Sequence, residues 1–127
     1  MPLVRIHANA ARATLDAVAD AVHAAMVEHL GVPHDDVFRV IDAASAVVAD
    51  AGYLGIAREN PVFVEITLRR GRTDAAKRAF YRALAEAVSR ASIARPEDLL
   101  VVLRENERID WSFGNGIAQY APGEDER

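Results

Sequence analysis

The chain has 127 residues, 51% of them hydrophobic, with a formal net charge of −4 and no cysteine. That size and apolar content suit one domain, residues 1–127, with a core of its own, and the lack of cysteine excludes disulfides, thiol catalysis and cysteine-based metal sites. No apolar run approaches the roughly 20 residues of a membrane helix, the start lacks a secretion-signal layout, and Lys and Arg are scattered rather than gathered; the expectation is a cytoplasmic protein with neither membrane nor nucleic acid as partner.

In chain order, Leu3 to His7 is a short β-prone run, and Leu15, Val18, Ala19, Val22, Met26 and Leu30 then recur at helical spacing. Gly31 stands where that helix stops and Pro33 prevents its resumption. Val37 to Ile41 is a second β-rich run, so residues 2–42 read as β-α-β. Ala43 to Asn60 is a long connection, either a lid or a crossing loop. Val62 to Leu68 is a strand, Thr73 a helix cap, and Ala76, Phe80, Ala83, Leu84, Ala87 and Val88 one apolar helix face. Pro96-Glu97-Asp98 precedes the strand Leu99 to Leu103 just as Pro33-His34-Asp35-Asp36 precedes the earlier one, so residues 61–104 repeat the β-α-β unit. Trp111 to Phe113 and Ile117 to Tyr120, joined by Gly114-Asn115-Gly116, read as a C-terminal β-hairpin over residues 110–120. The fold class is α/β: two β-α-β repeats share a four-stranded sheet with two helices on one face. The other face then lacks a cover, which predicts self-association.

Pro2 follows the initiator Met1, and trimming of Met1 would make its nitrogen a secondary-amine terminus anchored by an immediate strand. An α-amino group has a reference pKa of about 7.7 to 8.0, so its surroundings decide whether it serves as base or acid. Nearby guanidiniums favour the base, and a facing carboxylate such as Asp36 the acid. Arg69, Arg70 and Arg72 crowd around Gly71 at a strand-to-helix junction, where cations are poorly placed for the helix dipole but well placed to grip a small carboxylate. Arg70 and Arg72 are the candidates, while Arg69 alternates to the opposite side. Trp111 and Phe113 point the same way along a strand and could wall a pocket or pack under the hairpin; Tyr120 carries the same two readings. His7, His23, His29 and His34 show no ligand spacing, and Gly114-Asn115-Gly116 does not lead from a strand into a helix, so no metal and no nucleotide cofactor is expected.

These residues carry a resemblance. Met1-Pro2-Leu3, Pro33-x-x-Asp36, the run Thr67-Leu68-Arg69-Arg70-Gly71-Arg72-Thr73, Glu105-Asn106 and Asp110-Trp111-Ser112-Phe113-Gly114 together resemble the malonate semialdehyde decarboxylase branch of the tautomerase superfamily. The resemblance implies Pro2 as the catalytic amine, Asp36 as its assistant, Arg70 and Arg72 on the substrate carboxylate, and Trp111 and Phe113 as pocket walls. It further implies a homotrimer and a cofactor-independent reaction on a small oxo-carboxylate. Decarboxylation leads, with enol–keto tautomerisation of 2-oxo acids (phenylpyruvate type) or hydration of an unsaturated acid as alternatives. The sequence departs from the pattern at Gly71, where the family carries proline, and at Tyr120, where it carries phenylalanine. A rival of another class is a non-catalytic oligomeric scaffold or binding module that keeps the fold with an idle pocket.

Overall fold

The computed structural model describes residues 1–43 and 46–124. Four strands form one sheet: β1 (Leu3–Ala8), β2 (Phe38–Asp42), β3 (Val62–Arg69) and β4 (Leu99–Asn106), in the order β2-β1-β3-β4. β1 runs parallel to β2 and antiparallel to β3, and β3 runs parallel to β4. Each parallel pair is bridged by a helix, α1 (Arg12–Leu30) in the first unit and α2 (Asp74–Arg90) in the second. The expected repeat of two β-α-β units is therefore the architecture, with β2 shifted by one residue and the other strands and both helices one to four residues longer than their apolar cores indicated. Among the described residues no helix is long and apolar enough to cross a membrane.

Local chemistry accounts for the boundaries. α1 ends at Gly31, whose φ of +66° suits glycine, and the Gly31 N–H returns to the Met26 carbonyl. α2 begins at Thr73, whose hydroxyl accepts from the Ala76 N–H at 3.1 Å, with Asp74 in the first turn, where the helix dipole favours a negative charge. Strict alternation along β3 buries Val62, Val64, Ile66 and Leu68, and β1 adds Val4, Ile6 and Ala8 to the same face. Leu15, Val18, Val22 and Met26 of α1 and Phe80, Leu84 and Val88 of α2 close over them in one core.

The opposite face carries Leu3, Arg5 and His7 of β1, level with Phe38, Val40 and Asp42 of β2 and with Thr67, Glu65 and Phe63 of β3. Phe38, Val40 and Val102 remain exposed there, so the face is only partly covered within a single chain, by residues 46–48 beside His7 and Phe63 and by Trp111 and Phe113 beside Leu3 and Thr67. A charged cluster interrupts it: His7 Nε2 donates to Glu65 at 3.0 Å and an Arg104 Nη2 donates to the other Glu65 oxygen at 2.8 Å.

Two expectations change. Residues 111–120 contain no strand, and the expected C-terminal hairpin is replaced by consecutive turns. Its ladder is pre-empted by one side chain: Gln119 Oε1 accepts from the Phe113 N–H at 2.9 Å while its Nε2 donates to the Gly114 carbonyl at 3.0 Å. The long connection after β2 is a crossing loop. It leaves the sheet at Asp42 and rejoins it at Val62, both at the end of β1 remote from Pro2. Ala44 and Ser45 lie outside the described residues.

Burial alone would raise the Glu65 carboxyl, but the bonds from Arg104 and His7 outweigh it and hold it below the ordinary carboxylate value. A depressed carboxyl stabilises the fold above its unfolded-state pKa and ceases to do so as pH falls through the folded value. Glu65→Gln should therefore be less stable than the parent at pH 7, and the gap in urea midpoint should close as the buffer is taken below about pH 4.

Candidate active site

The register gathers one pole of the sheet. Leu3 pairs with Phe38 on one side and with Thr67 on the other, and Arg69 pairs with Asn106. The start of β1, the start of β2 and the ends of β3 and β4 therefore meet. That places Pro2, Asp36, Arg70, Arg72 and Asn106 together although the chain separates them by up to a hundred residues.

Pro2 is completely buried, and Met1 is 8% exposed. The Pro2 ring lines a void of only about 10 Å³ with Val4, His23, Met26, Asp36 and Phe38, so it sits in packed surroundings on the helix side. The Met1 ammonium is ion-paired with the Asp36 carboxylate. Asp36 is fixed by its own turn, its N–H donating to the Pro33 carbonyl at 3.0 Å. With Met1 attached, the Pro2 nitrogen is an amide and the terminal amine beside Asp36 belongs to Met1.

The two arginines are held differently. Arg70 Nε donates to Glu107 at 2.6 Å, both side chains being mostly exposed, and Glu107 raises the guanidinium pKa. Arg72 is half-buried: its Nε donates to the Leu30 carbonyl at 3.0 Å and its Nη1 to the Arg69 carbonyl at 2.7 Å. A cation at the last carbonyls of α1 complements that helix end, while burial, followed by the charge of Arg69, lowers its pKa. Arg72 thus ties α1 to the arginine turn and keeps donors to spare. Gly71 between them has φ +130°, a region closed to proline, whose ring fixes φ near −65°. The departure from the family pattern at this position is thus a different backbone turn. Behind it, Lys77 is ion-paired with Glu105 and lowers the Glu105 pKa.

On the open side of the sheet the same pole carries a cleft of about 510 Å³ lined by Leu3, Phe38, Thr67, Asn106, Trp111 and Phe113 among others. Trp111 and Phe113 stack with ring planes 1° apart and centroids at 5.5 Å. Phe38 packs on Phe113 at 5.4 Å, and Tyr120 meets Phe113 edge-on at 5.4 Å. Trp111 Nε1 donates to Asn106 Oδ1 at 2.7 Å, which fixes the indole against the end of β4. Sequence reasoning singled out Trp111, Phe113 and Tyr120 but gave no role to Phe38, Thr67 or Glu107, which join through strand register or, for Glu107, its ion pair with Arg70. Asn106 had a signal in the Glu105-Asn106 pair but no assigned role. The structure brings Pro2 and Asp36 together on the helix side of the pole and Trp111 and Phe113 around the neighbouring cleft, while the Arg72 side chain bonds to the Leu30 and Arg69 carbonyls and that of Arg70 to Glu107. Of the histidines, His23 lines the Pro2 void, bonds to the His34 carbonyl at 2.7 Å and meets the His34 ring edge-on at 5.9 Å, while His7 bonds to Glu65 and His29 faces Glu28. Among the described residues no group of three His, Asp or Glu side chains is placed to hold a metal ion.

A strand-borne terminus beside a carboxylate, an arginine turn and an aromatic cleft thus share one pole of the sheet. A family model described as "Tautomerase enzyme" matches residues 40–114, and a second with the same description matches residues 2–45. Similar to this chain is "Probable tautomerase YusQ" of Bacillus subtilis (strain 168), 36% identical, with 94% of this chain and 98% of that protein covered. A malonate semialdehyde decarboxylase inhibited by 3-bromopropiolate superposes with a TM-score of 0.78 at 34% identity, covering 94% of this chain and 93% of the other. A fused 4-OT symmetric trimer superposes with a TM-score of 0.66 at 31% identity, covering 91% and 94%. The chain belongs to the tautomerase superfamily, on its malonate semialdehyde decarboxylase-like branch, and is an enzyme of that superfamily.

Because Gly71 has open space around it, Gly71→Ala should cost only its left-handed strain, about 1 to 2 kcal/mol. Gly71→Pro should cost more by forcing the turn to rebuild. Chemical denaturation of the two variants beside the parent reads both.

Proposed function

We propose that, once Met1 is removed, the chain is a cofactor-independent enzyme that decarboxylates a small β-oxo acid, with Pro2 as the catalytic amine. The observation that carries this reading is the buried terminal amine paired with Asp36 at the arginine-bearing pole. Loss of Met1 transfers the terminus to Pro2 one residue inward, where the strand keeps it immobile.

Asp36, a carboxylate facing the amine, favours its ammonium form, the form that acts as an acid. Arg70 and Arg72 bind the substrate carboxylate. Arg70 does so by exchanging Glu107, since exposed ion pairs contribute little and exchange readily. The Pro2 ammonium donates to the carbonyl oxygen, the bond between the carboxylate carbon and the α-carbon breaks, and its electron pair passes into the polarised carbonyl. Carbon dioxide leaves, and the resulting enol takes a proton at carbon to give the aldehyde or ketone. Trp111 and Phe113 supply apolar walls that keep the reacting carbonyl out of bulk water.

A second reading is enol–keto tautomerisation of a 2-oxo acid with Pro2 as neutral base; the relative named as a probable tautomerase favours it. We also infer a homotrimer, for which the open apolar sheet face and the trimeric fused 4-OT relative speak.

The test is acetaldehyde release from malonate semialdehyde by protein whose intact mass shows Met1 gone. Pro2→Ala should lower turnover by about 10² to 10⁴, and Arg70→Ala should raise KM by about ten- to a hundredfold. Glu107→Gln should lower KM about two- to fivefold by leaving Arg70 free. Turnover untouched by Pro2→Ala overturns the mechanism, and no decarboxylation beside fast ketonisation of a 2-oxo acid enol selects the second reading.

A further inference from the structure

The two β-α-β units give the sheet two poles of similar build, and the pole opposite Pro2 holds a cavity of about 290 Å³ that the proposed reaction does not use. It opens where the start of β3 meets the end of β1 and the start of β4, since Val62 pairs with both Ala8 and Leu99. Asp98 lines it, although the residue is only 2% exposed. Asp98 Oδ1 accepts from the Glu59 N–H at 2.7 Å, and a carboxylate has room for about four such bonds. Buried charges are ordinarily paired. Among the described residues, however, no cation is ion-paired with Asp98.

The other walls say what such a carboxylate could receive. Asn9, Thr14 and Asn60 bring oxygen acceptors, and Asn9 uses its Nδ2 on the Val47 carbonyl at 3.3 Å, which leaves its side-chain oxygen. Val62, Ile93 and Ala94 are apolar. Arg95 at the rim is already held, with Nη1 2.8 Å from Glu59, Nε 3.5 Å from Glu97 and Nη2 donating to the Ala57 carbonyl at 3.3 Å. Arg12, at the start of α1, is paired with Asp16 at 2.9 Å. One guanidinium thus stands against the three carboxylates Glu59, Glu97 and Asp98, a balance that favours a cation.

The first unit shows the same carboxylate in use. Asp36, in the matching turn, holds the ammonium of Met1, whose apolar side chain is buried beside it. The poles differ in the segment that leads from strand to helix. Arg70-Gly71-Arg72 precedes α2, whereas Asn9-Ala10-Ala11 precedes α1. The second pole therefore keeps the carboxylate and lacks the arginine turn, so it is built for the ammonium and not for a carboxylate ligand.

We propose that this cavity is a binding site for a short aliphatic primary amine, its ammonium on Asp98 and the side-chain oxygens of Asn9, Thr14 and Asn60, and its carbon chain against Val62, Ile93 and Ala94. The site is independent of the reaction assigned to Pro2. The test is titration of the ¹⁵N-labelled protein with propylammonium chloride at pH 7 and constant ionic strength, read on the backbone amides. The result expected is saturable shifts at Ala10, Glu59, Asn60 and Ala94 with a Kd of about 10 mM or tighter, in keeping with a ligand of so few atoms. 1-Propanol and propionate should bind at least about tenfold more weakly. Asp98→Asn keeps an oxygen for the Glu59 N–H and removes the charge, and it should weaken the amine at least about tenfold. Ala94→Leu keeps the charge and fills the space, with the same expected loss, and decides the matter alone if Asp98→Asn does not fold. Shifts confined to the Asp36 pole, no saturation, propanol equal to the amine, or binding unchanged in the folded variants each overturn the proposal.

Discussion

The structure depends on β1 being hydrogen-bonded along both edges from its first residue. Leu3 is paired with Phe38 and with Thr67, so there is no length of chain in which the start could fray. A terminus is ordinarily the loosest part of a domain; here it is driven into the middle of the sheet and covered by the core. The position of Asp36, the arginine turn and Asn106 around it all follow from that pairing. A parallel neighbour contributes its beginning to the same pole, and an antiparallel one contributes its end.

The duplicated unit makes the consequence visible. Asp36 and Asp98 occupy matching turns, each N–H donating at 3.0 Å to a carbonyl three residues or fewer upstream, Pro33 in one case and Arg95 in the other. Each carboxylate then faces a nitrogen that precedes a proline-led strand. Asp36 meets the Met1 amine, whereas the almost fully buried Asp98 accepts from the Glu59 backbone N–H at 2.7 Å. The first of these bonds is made to a terminal amine and the second to the backbone of the crossing loop. The same turn thus supports a terminal ion pair at one pole and a backbone hydrogen bond at the other.

Charge at the active pole is held in exchangeable form. Arg70 rests on Glu107 at the surface, and Lys77 rests on Glu105 behind the turn, so neither cation is idle in the absence of a ligand. Arg72 differs in donating to two backbone carbonyls, which makes it part of the frame. Gly71 lets the chain turn sharply between them in a way proline forbids, and this is where the chain's own specificity can diverge from that of its relatives.

Periodicity and punctuation were enough to read every strand of the sheet and both helices, because apolar spacing and residues such as Gly31, Pro33 and Thr73 act locally. Pro2, Asp36, Arg70, Arg72, Trp111 and Phe113 were singled out through the motifs that carry the family resemblance, and their roles stay part of the proposal. The hairpin was misread because aromatic residues about a glycine turn satisfy a strand pattern, and nothing local shows that the Gln119 amide will take the hydrogen bonds a second strand would need. Phe38, Thr67 and Glu107 were not legible, since each joins the site through strand register or a long-range ion pair. What the sequence by itself determined is therefore the inventory of elements and chemically capable side chains. Only the tertiary structure decided which pole each element presents and how the arginines are partnered. Those outcomes turn on pairing between segments far apart in the chain.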